Sequence, residues 1–320
     1  MFYKDKLILV TGGTGFVGSN FMEELIKKGA KLRVPIHNRK LLVHSDKIEQ
    51  VENIDFTKTA DCDKVMQGVD YVIHLAGAVG NPATVNNGLQ IYLDNIVLTA
   101  NIAQAAWGAG VKRFLYCSSS TGYPDRRYAI KEEEYWDEDP HSSYYGYGHM
   151  RRYMEKILDF VSRQSSMEVA LVRATGVYGP YDNFNLKTCH VIPALISKAL
   201  NNAGSKLEVW GTGDVVRDFL YIKDFVKGSL MVFEHAKSMD PINIGYGSTV
   251  TIDEIVKAIL KATGKENLEI EYNSSKPTTI PFRMVDTTKA QQLLGFKPQY
   301  SLEEGMKETV EWYKKFLINN

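Results

Sequence analysis

Residues 144–156 read Tyr-Tyr-Gly-Tyr-Gly-His-Met-Arg-Arg-Tyr-Met-Glu-Lys, and in them Tyr145 stands four residues ahead of His149 and Tyr147 four ahead of Arg151. On a helix such pairs share a face. The chemistry they suit is proton transfer by a phenol, as an alkoxide formed when hydride reaches a carbonyl carbon would need from a positioned acid. A free phenol, with pKa ~10, is too weakly ionised to run the reverse step at neutral pH, and a cation one turn away stabilises the phenolate. The spacing leaves both pairs open. A second stretch, Thr11-Gly-Gly-Thr-Gly-Phe-Val-Gly-Ser19, suits phosphate: its glycines let backbone turn tightly and approach a pyrophosphate, which would sit on unpaired N–H groups at a helix start, around Phe16 and Val17. Gly13, Gly15 and Gly18 fit one dinucleotide spacing, and Gly12, Gly15 and Gly18 fit another.

These groups need a sheet to hold them. Lys6–Val10 is a short apolar run before the glycines, and Asn20–Lys28 has a helical pattern after them, so strand, turn and helix follow in the order of a nucleotide-binding unit. Lys31–Ile36 reads as the second strand. At its end, where an acid usually marks NAD, stands His37-Asn-Arg-Lys40; Arg39 and Lys40 suit a ribose 2′-phosphate, which favours NADP, with NAD as the alternative. Val51–Phe56 reads as a third strand and Tyr71–Gly77 as a fourth, whose end at Leu75 and Ala76 lets a cofactor lie against backbone, with His74 as a core residue. A helix over Leu89–Ala109 leads to a fifth strand, Lys112–Cys117, running into Ser118-Ser-Ser-Thr-Gly-Tyr-Pro124 at the carboxyl end, where open α/β sheets place their chemistry. The acidic run 131–139 reads as a solvated surface segment without chemistry.

The 320 residues carry 38 basic and 38 acidic side chains, so no global field favours nucleic acid or an anionic membrane. Charges at Lys4, Asp5 and Lys6 interrupt any signal-peptide core, and the run at Leu7 is too short to span a bilayer, which together read as cytoplasmic. Cys62, Cys117 and Cys189 are too few and too irregular for a disulfide framework or a metal site.

With Gly12, Gly15 and Gly18 in register, the chain resembles the short-chain dehydrogenase/reductase superfamily. The wording Thr-Gly-Gly-Thr-Gly-Phe-Val-Gly and the length are similar to its extended, epimerase/dehydratase branch, which modifies nucleotide sugars. The resemblance runs from Leu7 to Trp312. It selects Tyr147 with Arg151, because Gly148 follows the tyrosine and Glu155 stands four residues beyond the cation. It also implies Ser119, four residues before Tyr123, as the hydroxyl that holds the carbonyl oxygen, and Asp55-Phe56 as an adenine contact. Arginine replaces the family's lysine; it keeps the charge and can bridge ribose hydroxyls but cannot relay a proton. Gly179-Pro-Tyr-Asp-Asn-Phe-Asn-Leu-Lys-Thr-Cys-His-Val-Ile-Pro-Ala-Leu195 is similar, nearly word for word, to the GDP-L-fucose synthase family. That family reduces a GDP-4-keto-6-deoxy sugar after inverting C3 and C5, using a cysteine two residues after the serine and the histidine of His-Val-Ile-Pro. Here the histidine is His190, Thr121 replaces the cysteine, and Gly176 replaces an asparagine. By the same resemblance Thr121 and Asn183 contact substrate, Arg217 and Arg283 grip its diphosphate, and the Tyr147 helix with its neighbour forms a homodimer.

The expectation is thus an α/β protein: a Rossmann, doubly wound parallel sheet over 1–173 binding NADP, and a smaller C-terminal α/β domain over 174–320 for the nucleotide-diphospho-sugar. The expected reaction is reduction of a 4-keto-6-deoxyhexose, with or without epimerisation. A redox-neutral 4-epimerase is one alternative, and a binding protein that kept the fold while losing the chemistry is another.

Overall fold

The computed structural model describes residues 2–77, 88–276, 278 and 280–319. In chain order the elements are β1 (Leu7–Thr11), α1 (Phe16–Lys27), β2 (Lys31–Pro35), β3 (Ile48–Val51), α2 (Thr59–Met66), β4 (Tyr71–His74), α3 (Leu89–Gly108), β5 (Arg113–Ser119), α4 (Tyr145–Gln164) and β6 (Glu168–Ala174). There follow β7 (Gly176–Tyr178), α5 (Val191–Leu200), β8 (Lys206–Trp210), β9 (Val216–Arg217), β10 (Phe219–Tyr221), α6 (Ile222–His235) and β11 (Ile242–Ile244). The last are β12 (Val250–Thr251), α7 (Ile252–Thr263), β13 (Glu269–Asn273), β14 (Phe282–Arg283), α8 (Thr288–Leu294) and α9 (Leu302–Asn319).

Among the described residues, seven strands form one sheet in the order β11-β6-β5-β4-β1-β2-β3, every pair parallel. Its central strands are apolar on both faces because helices cover both. Alternate residues feed two cores. Ile8, Val10 and Leu115 pack with Phe21 and Leu25 of α1 and with Phe225 and Phe233 of α6. Leu9, Phe114 and Tyr116 pack with Ile102 of α3 and with Met154 and Leu158 of α4. This is the expected doubly wound Rossmann architecture. The seventh strand comes from well beyond residue 173: Ile242 pairs with Val172 and Ile244 with Ala174. The other strands form smaller groups, β10 with β7, β12-β9-β14, and β13 with β8.

Three boundaries differ from expectation. The helix after the glycines starts at Phe16, inside the motif, not at Asn20. β5 runs on to Ser119. β3 lies at Ile48–Val51 and not at 51–56, because Asn53 takes φ 59° and Ile54 N bonds back to Ile36 O at 3.0 Å, turning the chain off the sheet edge. The acidic run is also not simply solvated: Glu133, Asp137, Glu138 and Asp139 are exposed, but Glu132 and Tyr135 are buried. Among the described residues no helix is long and apolar enough to cross a membrane.

Candidate active site

Gly12 has φ 71°, and a Cβ there would stand 2.8 Å from Ala76 N. At Gly18 a Cβ would stand 2.2 Å from Gly12 O. These two glycines let α1 abut the turn and the turn abut the end of β4, where Leu75 N and Ala76 N both donate to Thr11 Oγ1 at 3.1 Å. A Cβ at Gly15 would meet only Gly12 O, at 3.3 Å, so the surface above it is open. Gly15 caps α1 with no side-chain bond and no acid lies in the first turn, which leaves the positive helix end at Phe16 and Val17 for an anion. The residues present therefore fit a dinucleotide pyrophosphate, with Leu75 and Ala76 beside it. His74 bonds Thr11 Oγ1 at 2.8 Å and Thr99 Oγ1 at 3.1 Å, and burial pushes its pKa down to about 3, so it is a neutral core residue.

Beyond β2, His37, Asn38, Arg39, Lys40 and His44 line a cavity of about 430 Å³, with Arg39 and Lys40 exposed. With β3 ending at Val51, Glu52 also lines this cavity and brings a carboxylate to a rim expected from His37-Asn-Arg-Lys40 to be wholly basic. The Asp55 carboxylate accepts from Thr57 N at 3.0 Å and Thr57 Oγ1 at 2.7 Å, bonds that hold its pKa below the usual range, while Phe56 O accepts from Asn101 Nδ2 at 3.0 Å.

At the carboxyl end of β5, Ser119 leads into a tight turn over Ser120–Gly122. The two tyrosine–cation pairs now separate. Tyr145 is 57% exposed, and His149 Nε2 lies 3.3 Å from the Asp139 carboxylate at the surface. Tyr147 instead faces inward, and its oxygen accepts a hydrogen bond from Arg151 Nη2 at 2.5 Å. Arg151 Nη1 reaches Tyr116 Oη and Cys117 O, both at 3.3 Å. Burial works against the Arg151 charge, but the phenol oxygens of Tyr147 and Tyr116 outweigh it and raise its pKa above the ordinary guanidinium value. Gly148 is what brings the helix to the serine turn, since a Cβ there would lie 2.6 Å from both Thr121 O and Pro140 Cβ.

Arg217 and Arg283 are register partners on the neighbouring strands β9 and β14. Arg283 is buried and donates to Pro124 O at 2.9 Å and Tyr123 O at 3.3 Å, so it also braces the turn after Ser119. Burial, with Arg217 adding to it, pushes its pKa down to about 10; burial lowers that of Arg217 as well. Paired cations under this desolvation favour an anionic ligand. At Gly176 a Cβ would lie 2.7 Å from Phe219 Cδ1, so the aromatic ring fills the space a longer side chain would need.

The loop before α5 is tied to α1 by Asn20 Nδ2 on Pro180 O at 3.0 Å and Tyr181 Oη on Glu23 at 2.7 Å. Within it Asn183 serves the loop itself, donating to Thr188 Oγ1 at 2.8 Å and accepting from Asn185 N at 3.1 Å. His190 caps α5 without a side-chain bond, and desolvation by the protein around it lowers its pKa. Burial pushes the Cys189 thiol up, which keeps it protonated at neutral pH. Asp182 Oδ2 is buried and, among the described residues, has no hydrogen-bond partner; burial raises the carboxyl pKa to about 7. An unfolded Asp titrates near ~4, so this group's stabilisation is complete below that pH and is lost as pH rises through about 7. Asp182→Asn is expected to raise Tm by roughly 4 °C at pH 8 and to leave it unchanged at pH 4, read by differential scanning fluorimetry.

The NAD dependent epimerase/dehydratase family model matches residues 8–245. The chain belongs to that family. A dTDP-4-dehydro-6-deoxy-D-allose reductase from a Streptomyces species is 28% identical over 97% of this chain and 96% of its own. The structure of UDP-glucose 4-epimerase from Thermotoga maritima with UDP-glucose superimposes with TM-score 0.86 at 26% identity, covering 97% of this chain and 99% of that one. A GDP-L-fucose synthetase from Naegleria fowleri bound to NADP does so with TM-score 0.83 at 26% identity, covering 98% and 94%. The chain is thus similar to enzymes that reduce and that epimerise nucleotide sugars, and it is itself an enzyme of the epimerase/dehydratase family.

In this family member the serine turn rests on a buried polar network that the sequence did not reveal. Ser118 Oγ donates to Glu155 Oε1 at 2.6 Å, and Arg173 binds the same carboxylate through Nη2 at 2.8 Å and Nε at 3.2 Å. Arg173 Nη1 donates to Glu132 O at 2.7 Å, and its guanidinium lies 3.6 Å from the Tyr135 ring centre. Tyr123 Oη donates to Asn243 Oδ1 at 2.6 Å, and Asn243 N to Glu132 Oε1 at 2.8 Å. This explains why Glu132 and Tyr135 turn inward from an acidic run. The only sequence signal was Glu155, one turn beyond Arg151.

Proposed function

We propose that this chain reduces the 4-keto group of a nucleotide-diphospho-4-keto-6-deoxyhexose, using NADPH. The observation that carries the reading is the 2.5 Å contact of Arg151 with the Tyr147 oxygen, on a helix pressed against the turn that follows Ser119. A nicotinamide dinucleotide held at the Gly12–Gly18 turn, with Leu75 and Ala76 beside it, would supply the hydride for C4 of the sugar. Ser119 donates a hydrogen bond to the C4 oxygen and Tyr147 gives that oxygen its proton. Arg151 stabilises the charge left on the Tyr147 oxygen, and since a guanidinium does not give up its proton, the proton that restores Tyr147 comes from solvent. Arg217 and Arg283 take the diphosphate. In this reading residues 1–173, with the returning α6 and β11, hold the cofactor, and the rest of 174–320 holds the nucleotide sugar. Thr121 is too weak a base to take a proton from carbon, and the raised Cys189 thiol does not replace one. The resemblance pairs His190 with a cysteine for the inversion, and with Thr121 in the cysteine's place that pair is incomplete, so in this reading C3 and C5 keep their configuration.

Arg39 and Lys40 support NADP over NAD. The double change to alanine is expected to raise KM for NADPH by about 10–100-fold, the worth of charge-assisted bonds to a 2′-phosphate, with KM for NADH little altered; equal losses for both cofactors would contradict the assignment. A homodimer is supported by Leu89, Leu93 and Val97, exposed four residues apart on α3, beside exposed Tyr153 and Phe160 on α4. Sedimentation is expected to give twice the chain mass.

The test of the activity is NADPH oxidation against GDP-, dTDP-, UDP- and CDP-linked 4-keto-6-deoxy sugars. Consumption with one of them, giving a product unchanged at C3 and C5, is the expected result. No consumption, alongside redox-neutral 4-epimerisation of an unreduced nucleotide sugar, would replace the reductase by an epimerase.

A further inference from the structure

We propose that Thr121 is a positioning residue for Ser119, fixing the direction in which the serine gives its proton; this rests on the reading of Ser119 as the group that holds the C4 oxygen. Ser119 Oγ accepts from Thr121 N at 3.2 Å and from Thr121 Oγ1 at 3.0 Å. A hydroxyl has two lone pairs and one proton. With both lone pairs engaged by the same residue, the proton is the one capacity left, and Ser119 meets a ligand as a donor. That is the polarity a developing alkoxide needs. The residue that does this is itself held: the tight turn Ser120–Gly122 fixes its backbone N–H, and α4 presses on its carbonyl at Gly148, where even a Cβ would stand 2.6 Å away. The Thr121 hydroxyl, spending its proton on Ser119, serves orientation and not acid–base chemistry at carbon. In the structure its hydroxyl meets the serine; the contact with the sugar that the sequence resemblance implies is a separate one.

Thr121→Val removes the hydroxyl while keeping the shape, and Thr121→Ser keeps the hydroxyl. With the turnover substrate, Val is expected to lower kcat about tenfold, as loss of one orienting hydrogen bond would, while KM for the sugar and the Kd of NADPH hold. Serine is expected to restore kcat to within about twofold. A Val variant with normal kcat, a rise in sugar KM at unchanged kcat, or a serine variant as slow as valine would each overturn the proposal. A crystal structure of Thr121→Val gives a readout independent of turnover: Ser119 is expected in more than one rotamer, and a single unchanged rotamer would also overturn it. Ser119→Ala separates the two readings. If it leaves kcat intact, the role given to Ser119 fails, whereas an unchanged rotamer in Thr121→Val sinks only the role given to Thr121.

Discussion

Tyr147→Phe is expected to lower kcat by about 10³-fold, close to 4 kcal/mol of barrier, because it removes the proposed acid for the C4 oxygen and leaves the packing of the ring in place. The Tyr147 ring lies 5.0 Å from the Arg151 guanidinium carbon, a contact that phenylalanine preserves, so NADPH binding by fluorescence titration is expected to be unchanged. Arg151→Lys is the informative companion. Lysine keeps the charge but cannot span Tyr147, Tyr116 and Cys117 O at once, as the guanidinium does. Activity retained in Arg151→Lys and lost in Arg151→Met would locate the contribution in charge. If Tyr147→Phe kept more than about a tenth of kcat, Tyr147 would not be the acid.

Glu155→Leu is expected to cost about 3–5 kcal/mol of stability, or roughly 10 °C in Tm by calorimetry. The side chains of Arg173 and Glu155 are 2% and 3% exposed, so removing the carboxylate strands a charged guanidinium in the core and takes the acceptor from Ser118. The surface pair Arg163–Asp159, with 72% of the arginine exposed, sets the contrast: Asp159→Leu is expected to change stability by less than about 1 kcal/mol. Removing both ends of the buried pair, Glu155→Leu with Arg173→Met, is expected to recover much of the loss, since no uncompensated charge remains. A Tm unchanged in Glu155→Leu would mean that water reaches Arg173.

What could be read from the sequence was what neighbouring residues decide among themselves. The strand–glycine–helix unit, the core role of His74 and the run of parallel strands all follow from local pattern, whereas spacing offered two tyrosine–cation pairs and the family resemblance chose Tyr147 with Arg151. β3 escaped because its Glu49 and Gln50 are exposed, so a short edge strand carries no alternation to mark its limits. Glu52 then arrived at the rim of the cavity beyond β2 unannounced. The network beneath Ser119 escaped for a different reason: Glu155 meets Ser118 across 37 residues and Tyr123 meets Asn243 across 120, distances over which residue types say nothing of pairing. Glu132 was hidden among acids that do face water. The register partnership of Arg217 with Arg283 needed β9 and β14 to meet, yet each arginine was legible through the motif that carries it.

The most direct measurement is the fate of the hydride. NADPH carrying deuterium at the transferable C4 position is incubated in ordinary water with the nucleotide-4-keto-6-deoxy sugar that is turned over, and the product is analysed by NMR. One deuterium at sugar C4, with C3 and C5 keeping the configuration they have in the substrate, is the predicted result. Product lacking deuterium at C4, or the 4-keto sugar recovered unreduced with the NADPH intact, would contradict the account.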